Sequence, residues 1–155
     1  MVIKKSVSTE KTLQIHQSSS ILVVIAPFYA EITKLLVQGA KTELSKYHIK
    51  QEMIEVPGAL EIPTAIKLAA ASFDGFVALG CVIRGETSHY ETVCNDSSRA
   101  LTLLGLEGIC IGNGILTVEN FKQAITRADP DMNNKGKDAA LAALNLIQIK
   151  QRFEN

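Results

Sequence analysis

The sequence has no tryptophan, only three tyrosines and five phenylalanines, and 16 basic residues balanced by 16 acidic ones. With no net charge and no Lys/Arg block, nucleic acid and anionic membrane are poor candidates for the main partner. Long apolar runs are missing as well. The longest, Ile21 to Phe28, falls far short of the ~20 residues that cross a bilayer. It follows twenty mostly polar residues, so the start of the chain does not read as a signal peptide. The three cysteines, Cys81, Cys94 and Cys110, form no C-x-x-C pair and lie in or beside apolar stretches. They read as buried free thiols in a reducing cytoplasm. The three histidines make no H-E-x-x-H pattern, so no metal is expected.

What is present is an apolar, unsegmented chain. At 155 residues and 46% hydrophobic, it fits one domain with a sizeable core. A neutral chain lacks the charge that keeps monomers dispersed. An oligomer is the expectation.

Residues 1–20 are rich in Ser, Lys, Gln and Thr and show no period, so they read as an arm, disordered or laid on a neighbouring subunit. From residue 21 to 155 a single domain follows. Ile21 to Ala26 is a continuous β-branched run, as in a strand buried on both faces. A helix comes next, with Ile32, Leu35, Leu36, Ala40, Leu44 and Tyr47 on one face. Ile49 to Val56 is a second strand, and Pro63 suits the first turn of a helix reaching about Ser72. Phe76 to Ile83 is a third strand, and a helix from about Ser88 to Leu104 follows it. Ile109 to Ile115 is the fourth strand, and Thr117 is the expected N-cap of a helix that Asp129-Pro130 ends or kinks. Asp138 to about Gln151 closes the chain as an Ala/Leu/Ile-rich helix. Strict alternation implies a three-layer α/β/α sandwich on a four-stranded parallel sheet, flavodoxin-like and doubly wound.

In such folds ligands bind outside the carboxyl ends of the strands. Those ends hold Phe28-Tyr29 after the first strand and Val56 to Glu61 after the second. Ile83 to His89 follows the third strand, and Asn113-Gly114 with Thr117 follows the fourth. Phe28 is either core or a stacking platform. Gly58 and Gly85 allow tight turns, and Glu61 is either a dipole-favoured carboxylate or a ligand contact. Gly85-Glu86-Thr87-Ser88 opens a helix and offers backbone N–H groups to an anion. His89 follows at once, an imidazole able to take and return protons near neutral pH. Arg127 suits the end of its helix without any function. His16 and His48 read as surface residues. No G-x-G-x-x-G follows the first strand and no G-x-x-x-x-G-K-[ST] occurs, which argues against dinucleotide and P-loop sites.

Four blocks carry a resemblance. They are Val56-Pro57-Gly58-Ala59-Leu60-Glu61-Ile62-Pro63, then Gly80-Cys81-Val82-Ile83-Arg84-Gly85-Glu86-Thr87-Ser88-His89-Tyr90. The third is Thr117-Val118-Glu119-Asn120 with Gln123-Ala124-Ile125 and Arg127-Ala128, and the last is Asn134-Lys135-Gly136. In order and spacing, residues 21 to 150 resemble lumazine synthases.

The resemblance implies condensation of 5-amino-6-(D-ribitylamino)uracil with 3,4-dihydroxy-2-butanone 4-phosphate, giving 6,7-dimethyl-8-ribityllumazine, phosphate and water. It implies no metal and no organic cofactor. By position, Phe28 stacks on the pyrimidine, and the backbone at Val82 and Ile83 holds that ring's polar edge. Ala59, Leu60 and Glu61 line the ribityl chain. Gly85, Glu86 and Thr87 face the phosphate, and Arg127 pairs with it. His89 shuttles protons, and Lys135 contacts the pyrimidine or phosphate side. The family also implies a homopentamer with sites between adjacent subunits, Asn113 coming from the neighbour. Two departures stand out. Tyr29 replaces the Asn that many relatives carry after the stacking Phe. Asp129-Pro130-Asp131-Met132-Asn133 replaces a Gly-Thr-Lys-Ala-Gly connection, removing a lysine at Asp131 and pointing to a free pentamer rather than a shell. A non-catalytic ligand-binding module and a shell protein are the competing readings.

Overall fold

The computed structural model describes residues 12–154. Four parallel strands form one sheet in the order β2-β1-β3-β4. They are β1 Ser20–Ile25, β2 Lys50–Glu55, β3 Gly75–Ile83 and β4 Cys110–Val118. Around them lie α1 Ala30–Leu44, α2 Glu61–Ala69, α3 His89–Leu106, α4 Phe121–Ala128 and α5 Lys135–Phe153, with a 3₁₀ turn at Ser45–Tyr47. The three-layer α/β/α architecture read from the alternation is the one observed.

Side-chain alternation along β1 divides the core. Ile21, Val23 and Ile25 face one layer with Ile32, Leu36 and Leu44 of α1, Ala124 and Ala128 of α4, and Ala140 and Leu144 of α5. Leu22 and Val24 face the other layer with Ile62 and Ile66 of α2 and Leu101 of α3. Each fully buried Ile, Leu or Val contributes roughly 1.5–3 kcal/mol, so the central strands β1 and β3 anchor both layers. Small residues bring α5 down onto β4 and against α1. A β-carbon on Gly112 would collide with the Ala139 carbonyl, and one on Gly136 with the Leu36 carbonyl.

Several boundaries differ from the sequence reading. β4 runs on to Val118, paired throughout with β3 up to Ile83, because Leu116 and Val118 still point into the core. Thr117 therefore lies inside the strand, and the α4 N-cap is Asn120, whose side chain accepts from the Gln123 N–H at 2.9 Å. α4 stops at Ala128, as Asp129-Pro130 requires. α5 starts at Lys135, three residues early, because Asn134 adopts a left-handed conformation (φ 48°) and caps the Lys137 N–H. Of the expected arm, residues 1–11 lie outside the described residues. Within residues 12–19, Gln14, His16 and Ser19 bond to this chain's own α5. The Gln14 N–H donates to Gln148 Oε1 at 2.7 Å, and Gln151 Nε2 donates to Ser19 Oγ at 2.8 Å.

Candidate active site

The strand order reverses between β1 and β3: the chain leaves β1 toward β2 on one side and builds β3 and β4 on the other. At such a switch point the connections leave the sheet in opposite directions and open a crevice at the carboxyl ends. The segments after β1 and β3 flank it. Phe28, just past β1, is 75% exposed, its ring held edge-on against Tyr29 with centroids 5.0 Å apart. A phenylalanine this exposed is not core. Its face is free to stack, and Tyr29 fills the place beside it.

On the β2 side, the turn before α2 buries Ala59, leaves Leu60 exposed and places Glu61 as the first helical residue, its N–H bonded to the Gly58 carbonyl at 3.2 Å. On the β3 side, Val82 and Ile83 are half-buried at the strand end, and Gly85, Glu86 and Thr87 form an exposed turn. His89 opens α3, exposed, its N–H donating to Thr87 Oγ1 at 3.3 Å. The three strand ends thus bring Phe28, Ala59, Leu60, Glu61, Val82, Ile83, Gly85, Glu86, Thr87 and His89 to one edge of the sheet.

Three expected site residues lie elsewhere. Asn113 does not follow β4; it sits within the strand opposite Ala78, exposed, with its Oδ1 accepting from the Ile115 N–H at 3.0 Å. The strand end at Val118 is five positions further on, roughly 16 Å at strand rise. Arg127, next to last in α4, is half-buried and donates from Nη1 to the Gln123 carbonyl at 3.2 Å. Lys135 opens α5 with Nζ 3.2 Å from Asp138 Oδ2. Both helices belong to the layer opposite α3. The 129–133 connection is tied by its own bonds, Asp129 Oδ1 accepting from the Asp131 N–H and the Thr126 carbonyl from the Asn133 N–H.

A charged cluster beside His89 escaped the sequence reading. Arg84, the first residue past β3, donates from Nη1 to Glu91 and from Nε to Glu119 Oε2, the latter at 2.7 Å, and its guanidinium lies 4.2 Å from the centre of the Tyr90 ring. The bond from Arg84 holds the Glu91 carboxyl below its ordinary range. Burial, followed by a hydrogen bond with Cys94, pushes the Tyr90 phenol up. One signal was available: a cation beside a helix N-terminus opposes the helix dipole and calls for anionic partners. Their positions, 7 and 35 residues away, were not legible. Among the described residues, no group of three or more His, Cys, Asp or Glu side chains is placed to hold a metal ion. Two clefts lie away from this edge, one lined by Glu43, Tyr47 and Leu141, the other by Ile109, Leu146 and Ile149.

Residues 18–151 match the family model described as 6,7-dimethyl-8-ribityllumazine synthase. The chain belongs to this family. It is 54% identical over 135 residues to the 6,7-dimethyl-8-ribityllumazine synthase of Jannaschia sp., covering 86% of this chain and 76% of that one. It is 51% identical to the Zymomonas mobilis synthase, over 85% of this chain and 96% of that one. It is also 51% identical to the Bartonella henselae synthase, over 92% and 95% of the two chains. The match spans all four strands, so every sheet-end segment described above falls within the lumazine synthase family region.

Proposed function

We propose that this chain condenses 5-amino-6-(D-ribitylamino)uracil with 3,4-dihydroxy-2-butanone 4-phosphate, as a homopentamer in the cytoplasm, at sites shared between adjacent copies. It is a transferase of riboflavin biosynthesis. One observation supports the location above all: an exposed aromatic ring and an exposed histidine flank the same switch point of the sheet. No helix among the described residues is long and apolar enough to cross a membrane.

In this reading the pyrimidine stacks on Phe28, with the Val82 and Ile83 backbone at its polar edge. The ribityl chain runs past Ala59, Leu60 and Glu61 along the α2 turn. The phosphate sits on the Gly85-Glu86-Thr87 turn, at the positive end of the α3 dipole. The free amine of the uracil attacks the butanone carbonyl and loses water to give an imine. Elimination then breaks the C–O bond to phosphate, and ring closure by the second nitrogen expels another water. Each step moves a proton between nitrogen, carbon and oxygen. In this reading His89, an imidazole exposed at this edge, accepts and returns it.

Arg127 and Lys135 are assigned to the phosphate and pyrimidine side, and Asn113 to the site of a neighbouring copy. Their place in the opposite layer, or midway along an edge strand, supports a site completed across an interface. The exposure of Phe28, Leu60, the 85–87 turn and His89 does too, since a ligand lying on one protomer alone would remain largely in water.

Steady-state kinetics on two variants tests these roles. Arg127→Ala raises KM for the butanone phosphate with a smaller effect on kcat, as expected when a ground-state phosphate contact is lost. His89→Ala lowers kcat by about 10²-fold or more. Unchanged turnover in His89→Ala removes the histidine from the reaction, and a monomer in sedimentation velocity removes the shared site.

A further inference from the structure

We infer that Arg84 is a positioning residue for His89: its forked guanidinium fixes the first turn of α3 against the end of β4. The inference rests on the reading of His89 as the proton carrier. The geometry is particular. Nη1 bonds Glu91, two residues past His89; Nε bonds Glu119, one residue past β4; and the guanidinium plane covers Tyr90, the residue after His89. The Arg84 N–H also donates to the Val118 carbonyl at 3.0 Å, so the arginine's own backbone is pinned to the strand that carries one of its anions. The Glu119 N–H in turn donates to Gln123 Oε1 at 2.8 Å within the cap of α4. Two donors on different nitrogens of one rigid plane therefore link β3, the start of α3 and the approach to α4.

Beside the fork, Thr87 Oγ1 accepts from the His89 N–H at 3.3 Å, near the long limit of a hydrogen bond, and the Tyr90 hydroxyl bonds with Thr117 of β4. Gly85, Glu86 and Thr87 are exposed, and a β-carbon on Gly85 would meet nothing within 4 Å. The Ser88 side chain makes no capping bond to α3. A histidine opening a helix whose start has one long side-chain bond and follows an unpacked turn frays easily. The Arg84 fork adds two further restraints, to Glu91 and to Glu119. Arg84, Glu91 and Glu119 are all exposed, and ion pairs of that kind add little to global stability. The consequence of losing the fork is therefore local, at His89. Lysine cannot replace it, because a single ammonium on a flexible stem does not reproduce two donors at fixed spacing.

The test compares purified full-length wild type, Arg84→Met, Arg84→Lys and the double variant Glu91→Gln/Glu119→Gln in the condensation assay, with melting temperatures measured in parallel. Misplacing a reacting group costs about tenfold or more in turnover. A loss of about tenfold in kcat, with KM for both substrates within about twofold, is expected for Arg84→Met and for the double variant. Arg84→Lys stays within about threefold of Arg84→Met, and melting shifts by no more than about 2 °C in each. Wild-type kcat in Arg84→Met overturns the inference. So does full recovery in Arg84→Lys, which would make charge alone sufficient. A loss confined to KM, or one accompanied by a melting shift above about 5 °C, also overturns it. His89→Ala is measured alongside. If it retains full turnover, the reading of His89 itself falls; if it loses turnover while Arg84→Met does not, only the inference about Arg84 falls.

Discussion

Gly112 of β4 lies against the Ala139 carbonyl of α5, leaving no room for a β-carbon between strand and helix. The contact sets how deeply α5 sits on the sheet, and with it the place of Lys135 one turn earlier. Gly112→Ala must push a backbone carbonyl rather than a flexible side chain. Overpacking of this kind costs about 3 kcal/mol, which lowers the melting temperature by roughly 6–12 °C at this chain length. Gly105→Ala, where a β-carbon meets nothing within 4 Å, is the control. It leaves stability unchanged or raises it by up to about 1 kcal/mol. Thermal denaturation of the two variants checks both.

Asn120 and Gln123 cap α4 reciprocally: the Asn120 side chain accepts from the Gln123 N–H, and the Gln123 side chain accepts from the Glu119 N–H. Asn120→Ala removes the first of these and destabilises the protein by about 1 kcal/mol. Denaturant unfolding measures it. Because α4 is only eight residues long and carries Arg127, the same change raises KM for the phosphorylated substrate. Asn120→Asp, which keeps an acceptor, preserves both properties.

The thiols offer a test of the core. Burial pushes the Cys81 thiol up to about 11, and it raises Cys94 and Cys110 as well. At pH 8 all three remain thiols rather than the reactive thiolate. Alkylation of the native protein is therefore slow, with the half-buried Cys94 reacting first and the buried Cys81 and Cys110 protected. All three react promptly in denaturant. Mass spectrometry of timed samples reads the order; rapid modification of Cys81 in the native state contradicts its placement in the core.

Glu91 titrates below the ordinary carboxylate range because Arg84 donates to its charged form. For a carboxylate whose folded value is depressed, the contribution is present above the unfolded value and is lost as pH falls through the folded one. The cluster therefore persists at neutral pH and opens only in acid. Carboxyl-carbon NMR of the wild type and Arg84→Met checks this: the Glu91 midpoint moves up toward the ordinary range in the variant.

How far the sequence carried the fold depended on whether the signal was local. The unbroken Ile21–Ala26 run announced a two-sided buried strand, and the structure places it in the centre of the sheet. Asp129-Pro130 stopped α4 through backbone sterics that need no partner. The β4 end was read three residues short because Leu116 and Val118 owe their strand geometry to pairing with β3, which no local pattern shows. Asn134 was missed as a cap because it uses a left-handed conformation that asparagine tolerates but does not advertise. The candidate site divided in the same way. Phe28, Glu61, Val82, Ile83, the 85–87 turn and His89 were legible because strand ends were legible. Asn113 falls inside even the shorter strand, Ile109 to Ile115, and the structure places it within β4, away from the strand end. The Arg84 cluster depends on Glu119, brought close only by the β3–β4 pairing.

The central claim is that this chain forms 6,7-dimethyl-8-ribityllumazine at the carboxyl edge of its sheet. The most direct test mixes the purified protein with 5-amino-6-(D-ribitylamino)uracil and 3,4-dihydroxy-2-butanone 4-phosphate and follows lumazine fluorescence against a protein-free control. Formation well above the spontaneous rate, with turnover strongly reduced in His89→Ala, is the expected result. Formation no faster than the spontaneous reaction contradicts it and leaves a protein that binds these molecules without joining them.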